Sequence, residues 1–141
     1  MTLSRFHEAQ AGVWETALAE LRAGRKRTHW MWFIFPQLRG LGRSETARFY
    51  GLDGLAEARL YLADPVLRDR LELSAYALLE QNEDDPVAVM GAVDAMKLRS
   101  SATLFARAGA GAGDGAGDWA EAVLDRFFGG KGDEVTERML E

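Results

Sequence analysis

Apolar residues recur at spacings of three and four over most of the chain, and this period predicts helices nearly everywhere. Phe6, Ala9, Val13, Ala17 and Leu21 make one stripe on a first helix predicted from Leu3 to Ala23, with Ser4 as its cap and Gly24 as its stop. Ser44 is placed to cap a helix over residues 45–50, and Asp53-Gly54 to open one carrying Leu55, Ala58 and Leu62. Two Asp-Pro pairs repeat a single device, an Asp cap with proline at the first helical position. Asp64-Pro65 starts a helix with Leu67, Leu71, Ala75 and Leu78 on its inner face, and Asp85-Pro86 starts a short one ending at Gly91. Asp94 is read as opening a helix over 95–107 whose stripe is Ala95, Leu98, Ala102 and Phe105. Asp118 and Glu121 resemble a capping box for a helix with Trp119, Val123 and Phe127 that stops at Gly129-Gly130. Asp133 caps a last short helix carrying Val135 and Met139.

Two segments resist the period. Residues 30–35 read Trp-Met-Trp-Phe-Ile-Phe, so every position is bulky and helix and extended chain fit equally well, up to the stop imposed by Pro36. Residues 108–117 alternate glycine with alanine or aspartate, which predicts a flexible loop with nothing to bury. It is not a phosphate loop, because no Lys-Ser or Lys-Thr follows at the required spacing. No alternating run is long enough for a sheet. The expected fold is all-α: a compact, single-domain multi-helix protein over residues 1–141, with a short irregular aromatic segment near residues 29–37. The six-residue apolar run is far short of the roughly 20 residues that span a bilayer. With no basic-then-apolar start and no lipidation motif, a cytoplasmic protein that uses no membrane is the expectation.

Composition removes several chemistries. There is no cysteine, which excludes disulfides, thiolate nucleophiles and cysteine-ligated metal centres. Only His7 and His29 are present, so no multi-histidine metal site is expected, and no cofactor is called for. His7, beside Glu8, reads as ordinary surface. The net charge of −5 is unevenly spread. Residues 22–48 hold seven basic residues and one acid, for +6, and the remainder holds ten basic residues and 21 acids, for −11. A basic segment within an acidic chain suits a small anion that meets only the basic part. It argues against a long nucleic acid that must also pass the acidic rest.

The chemistry is sought in two places. In residues 25–44, Lys26, Arg39 and neighbouring arginines supply positive charge, and Trp30 and Trp32 supply faces on which a planar group can stack. Gln37 supplies a two-sided amide. Gly40 and Gly42 admit close approach of backbone N–H groups, and Ser44 opens a helix whose dipole favours an anion. The structural alternative is that the aromatics are core and the basic turn compensates the preceding helix dipole. In residues 94–103, Asp94, Lys97 and Ser101 share a helix face, with Arg99, Ser100 and Thr103 close by. Three hydroxyls on an otherwise apolar helix need a reason to be inside. His29, Asp94 and Lys97 are the candidates for moving a proton, and His29 has cationic neighbours that favour its neutral form.

The residues also resemble a family. Arg5-Phe6 with Gln10, Gly24-Arg25-Lys26-Arg27, the string from His29 to Gln37, Gly40-Leu41-Gly42, Lys97 to Ser101, Thr103 to Phe105 and Leu124 to Gly130 are similar to a bacterial domain family of unknown function numbered 1810. Genome annotation often mislabels it "calpastatin". The resemblance covers nearly the whole chain and implies a mostly helical, single-domain, monomeric protein. It implies no reaction. The chain departs from the pattern at Trp14, where the family has Tyr, at Asp64-Pro65, where it has His-Pro, and in a longer loop over 108–117. The calpastatin label finds no support, since calpain-inhibitor segments are disordered and this composition is that of a folded core.

Two functions follow as expectations. One is a site for a small anionic, nucleotide-like ligand such as ADP-ribose or a related NAD metabolite, formed where 25–44 meets 94–103, with binding or processing left open. The other is a non-enzymatic protein-interaction module that uses the basic 22–48 segment as a landing patch. Shape separates them: a concave pocket beside a partly open tryptophan favours the ligand, and a convex basic face favours the partner.

Overall fold

A computed structural model describes residues 3–141. Ten helices are found among these residues: α1 (Ser4–Ala11), α2 (Trp14–Arg22), α3 (Met31–Ile34), α4 (Glu45–Tyr50), α5 (Leu55–Ala63), α6 (Pro65–Leu79), α7 (Pro86–Met90), α8 (Ala92–Gly109), α9 (Asp118–Phe128) and α10 (Glu134–Met139). The all-α expectation holds. The one extended pairing among the described residues is a single parallel bridge, Leu38 with Leu52, which ties the chain after α3 to the chain after α4. α8 runs through the middle and packs against α5, α7, α9 and α10, while α6 packs against α2, α5 and α9.

Four of the expected side-chain caps sit where the sequence places them. The Ser44 hydroxyl accepts from the Ala47 N–H at 3.0 Å, and the Asp64 carboxylate accepts from Val66 and Leu67 at 3.0 and 3.1 Å. Asp85 accepts from Val87 and Asp133 from Thr136, both at 2.9 Å. Other boundaries move, each for a local reason. The first predicted helix is two, because Gly12 ends α1 and Trp14 begins α2. Leu3 is the N-cap residue of α1, and Ser4 lies inside the helix. Gly54, not Asp53, caps α5, because the Asp53 carboxylate is drawn to Arg39. Glu57 reaches back from the first turn to accept from the Asp53 N–H at 2.9 Å. α8 begins at Ala92, since Gly91, with φ +86°, both closes α7 and opens α8; this places Asp94 inside the first turn and leaves its carboxylate free for other partners.

The glycine-rich segment is not all loop. Ala108 and Gly109 complete α8, and Ala108 and Ala116 are buried. A β-carbon on Gly109 would lie 2.4 Å from the Gly117 nitrogen, so the two strands of backbone meet at a distance only glycine allows. That contact makes Gly117 the N-cap residue of α9 and moves Asp118 into the helix, without the expected side-chain cap. Arg68 holds the far side of the segment through the Asp114 side chain and carbonyl, each at 2.9 Å. Asp133 caps the last helix as expected, and on that helix Thr136 is buried while Val135 and Met139 are exposed. Asp133 fixes this rotation, accepting the Thr136 hydroxyl at 2.6 Å while its own N–H donates to Thr103 Oγ1 at 2.8 Å.

The core is aromatic at its centre. Phe105 is fully buried, with ring centroids 5.4 Å from Tyr61 and 5.8 Å from Trp119, and Tyr61 meets Phe6 edge-on at 5.1 Å. Gln10 is the polar tie through this core: its amide donates to the Phe33 carbonyl at 2.7 Å and to the Tyr61 hydroxyl at 3.2 Å. Since Phe105 joins α8, α5 and α9 through one ring, Phe105→Ala should lose about 3–5 kcal/mol in a urea melt. A variant as stable as the parent would place the centre of the core elsewhere.

Candidate functional site

The site is built from the turn between α2 and α3. Glu20, near the end of α2, points its carboxylate into this turn rather than to solvent. Its Oε1 accepts from the Arg27 N–H at 2.7 Å, the Thr28 N–H at 3.0 Å and the Trp30 indole at 3.0 Å. Its Oε2 accepts the Thr28 hydroxyl at 2.6 Å. Burial raises the carboxyl pKa, but these donors outweigh it, the Thr28 hydroxyl foremost, and hold the group at about 2. The turn is further fixed by the Lys26 N–H, which donates to the Val89 carbonyl of α7 at 2.8 Å.

Lys26 leaves this turn along the face of Trp30, its Nζ 4.9 Å from the ring centroid, and pairs with Asp94 Oδ2 at 2.8 Å. Asp94 Oδ1 lies 3.7 Å from Lys97 Nζ, one helical turn on. Lys97 in turn lies 4.8 Å above the Trp32 ring. Two lysines thus share one carboxylate, each on its own tryptophan. The group carries one net positive charge and joins the 26–32 turn to α8.

Beyond Lys97 opens a cleft of about 380 Å³, within the range of small-molecule sites. Gln37, Gly40, Leu41 and Gly42 form one wall, and Val93, Met96, Lys97 and Ser100 form the other. Asp133 and Val135 close one end. The loop wall depends on glycine: a β-carbon on Gly42 would sit 2.5 Å from that of Ala47, so only glycine lets α4 approach this closely. The Gln37 carbonyl accepts from Leu52 at 3.0 Å, which fixes the backbone of the wall. No hydrogen-bond partner for the Gln37 side-chain amide occurs among the described residues. The Ser100 hydroxyl donates back to the Met96 carbonyl at 3.1 Å and keeps its lone pairs.

The two segments singled out in the sequence therefore meet, but not all their residues do. Gln37, Gly40, Gly42, Lys97 and Ser100 line the cleft, and Asp94, Trp32 and Lys26 stand behind it. Trp30 is fully buried with its indole spent on Glu20, so it has no face for a ligand. His29 is exposed and outside the cleft, because the Glu20 turn directs the chain inward only from Trp30 onward. Arg39 is drawn away by Asp53, the Gly51 carbonyl at 2.8 Å and the Arg48 carbonyl at 2.9 Å. Ser44 is spent as the α4 cap. Arg99 donates to the Lys131 carbonyl at 3.0 Å and covers the Phe128 ring. Thr103 bridges the Arg99 carbonyl and the Asp133 N–H. Ser101 is fully buried, and its hydroxyl has no partner among the described residues. His7, expected as plain surface, is half-buried with Nε2 2.7 Å from Asp64 Oδ2.

Sequence reasoning missed Val93, Met96, Asp133 and Val135 as parts of this cleft. The available signal was weak: Val93 and Met96 fall off the buried stripe of α8, and apolar residues there are read as incidental. Among the described residues there is no group of three or more histidine, aspartate or glutamate side chains placed to hold a metal ion, and no helix long and apolar enough to cross a membrane.

Fold and cleft together define an all-α protein in which one helix-flanked cleft carries a lysine and an unspent amide. The model of the family described as "Protein of unknown function (DUF1810)" matches residues 1–140, and the chain belongs to that family. It is similar to the crystal structure of the conserved hypothetical protein Rv1873 from Mycobacterium tuberculosis, with 43% identity and a TM-score of 0.91, covering 98% of this chain and 95% of that one. No curated protein shows detectable similarity to it.

The Glu20 carboxyl gives the site a pH dependence of definite sign. Its folded pKa, about 2, lies below its unfolded value, so its stabilisation is full above about pH 4.5 and is lost as pH falls toward 2. Urea melts at pH 6 and pH 3 should show that loss, on the order of 3 kcal/mol when complete. Glu20→Gln should be destabilised at pH 6 and show a flatter pH profile. An unchanged profile in the variant would remove Glu20 from this role.

Proposed function

We propose that this protein binds a small anionic molecule in the cleft between the 37–42 loop and α8. Lys97 serves as the charged anchor, and the Gln37 amide and Ser100 hydroxyl as orienting groups. The observation that carries this reading is the convergence of Lys97 and Gln37. These residues are 60 positions apart, they line one concave space, and among the described residues the Gln37 amide has no hydrogen-bond partner while Lys97 has only its 3.7 Å contact with Asp94. Trp32 is half-buried beneath Lys97 and lines a neighbouring hollow with Phe49 and Tyr50, not the cleft itself.

The geometry supports binding ahead of catalysis. His29 lies outside the cleft, and the Asp94 carboxylate is engaged by two ammonium groups and is not among the residues that line the cleft. It supports a single anionic group ahead of the diphosphate of ADP-ribose. One lysine faces the cleft, and the Asp133 carboxylate lies at its end. The partner-binding reading draws on a different observation. Arg22, Arg25 and Arg27 are exposed, lie outside the cleft and make no ion pair among the described residues. They suit an acidic surface, and such an association would weaken steeply with salt.

A thermal-shift series tests the ligand reading, using inorganic phosphate, acetate, octanoate, AMP and ADP-ribose as probes. A ligand at 100 times its Kd should add about 2.7 kcal/mol to stability. At least one probe should raise the parent's Tm, and Lys97→Ala should lose that rise. If no probe shifts the parent, or Lys97→Ala shifts equally, the reading fails.

A further inference from the structure

We infer that the ligand of this cleft is a monoanionic amphiphile: one carboxylate or similar singly charged head on an acyl or aryl body. This rests on the proposed anion site and names the other half of its occupant. The observation is the rim. Val93 and Met96 of α8 are 68% and 69% exposed, and Val135 and Met139 of α10 are 49% and 46% exposed. These are four of the ten large apolar side chains exposed among the described residues. Val93, Met96 and Val135 line the cleft itself, and the Met139 methyl reaches to within 3.5 Å of where a Gly40 β-carbon would stand. Single exposed apolar residues need no explanation, but four around one concavity do. Neither pair is a by-product of core packing. α8 buries the opposite stripe, and Asp133 turns α10 so that Thr136 faces inward.

Charge sets the head. Lys97 is the one cation among the residues that line the cleft, and Asp133 lines its end, so a single negative group finds a partner there and a second would not. A head with one negative charge is matched, and a polyphosphate is not. The concavity sets the body. A flat protein or membrane surface laid on the rim would seal the Gln37 amide away from water without a partner and leave Lys97 only its long contact with Asp94, a cost that opposes the apolar gain. A small molecule that enters the space, about 380 Å³, places its anion on Lys97 and its body against the methionines and valines. Methionine suits this role, because its flexible thioether fits bodies of different shape.

The test is a calorimetric titration of the parent with acetate, octanoate and AMP, repeated on Lys97→Met and on the double variant Met96→Gln with Val135→Thr. The double variant changes exposed side chains only, so it keeps the fold. Each buried methylene is worth about fourfold in affinity. Octanoate should therefore bind at least about 30-fold more tightly than acetate or AMP. The rim variant should lose most of that gain, and Lys97→Met should weaken octanoate too. If AMP or acetate binds through Lys97 as tightly as octanoate, the amphiphile is wrong while the anion site stands. If no probe binds in a Lys97-dependent way, both fall. A dimer, or cosedimentation with anionic phospholipid vesicles, that is lost in the rim variant would give the rim another occupant and overturn the inference.

Discussion

A single buried carboxylate sets much of this molecule. Glu20 gathers two backbone N–H groups, a hydroxyl and an indole, all from the four residues 27–30. A turn this rich in cations has no reason of its own to hold one shape, because like charges in sequence repel. The carboxylate supplies an opposite charge and satisfies donors that would otherwise be buried unpaired. With the turn held, Trp30 enters the core and Lys26 is aimed at Asp94. Asp94 then faces Lys97, and Lys97 faces the cleft. The orientation of the candidate site is thus inherited from a residue that does not touch it.

The other buried polar side chains act in the same way, as ties between elements distant in sequence. Gln10 fastens the end of α3 to α5 through the Phe33 carbonyl and the Tyr61 hydroxyl. Arg5 reaches the Gly51 carbonyl and Glu57, and Arg126 gathers the carbonyls of Leu79 and Gln81 with the Asp84 carboxylate. Many helices here are short, some of only four to six residues, and such helices have little stability alone. Interelement hydrogen bonds with buried partners are what make their arrangement unique. This also explains why residues of the family pattern such as Arg5, Gln10, Lys26 and Arg126 are polar yet are not all at the cleft.

The cleft combines two kinds of surface. Its floor is charged and polar, fixed by the lysine–aspartate–lysine group and a glycine loop that α4 crowds. Its rim is apolar and exposed. On the proposed reading the floor would take any small anion. Floor and rim together would then discriminate by the ligand's apolar body, since the hydrophobic contribution grows with each buried group while the ionic one is fixed by a single lysine.

The sequence alone determined the helical class, the caps at Ser44, Asp64, Asp85 and Asp133, and the core stripes, because apolar period, Asp-Pro starts and short-range caps act within a few residues. Leu67, Leu71, Ala75 and Leu78 are buried as their spacing requires. It also pointed to the two segments that meet at the cleft, since a basic, glycine-bearing stretch and a hydroxyl-bearing helix stand out locally. What it did not determine was which side of each residue faces the meeting point. Trp30, Arg39, Ser44, Arg99 and Thr103 carry the same chemistry as their neighbours, but tertiary partners claim them: Glu20, Asp53, the α4 backbone, the Lys131 carbonyl and Asp133. Val135 and Met139 are apolar, yet a capping interaction at Asp133 sets α10 so that they face outward. Local pattern decides whether a residue lies on a helix and on which stripe. Only the packed fold decides which polar groups are already satisfied, and so which remain to meet a ligand.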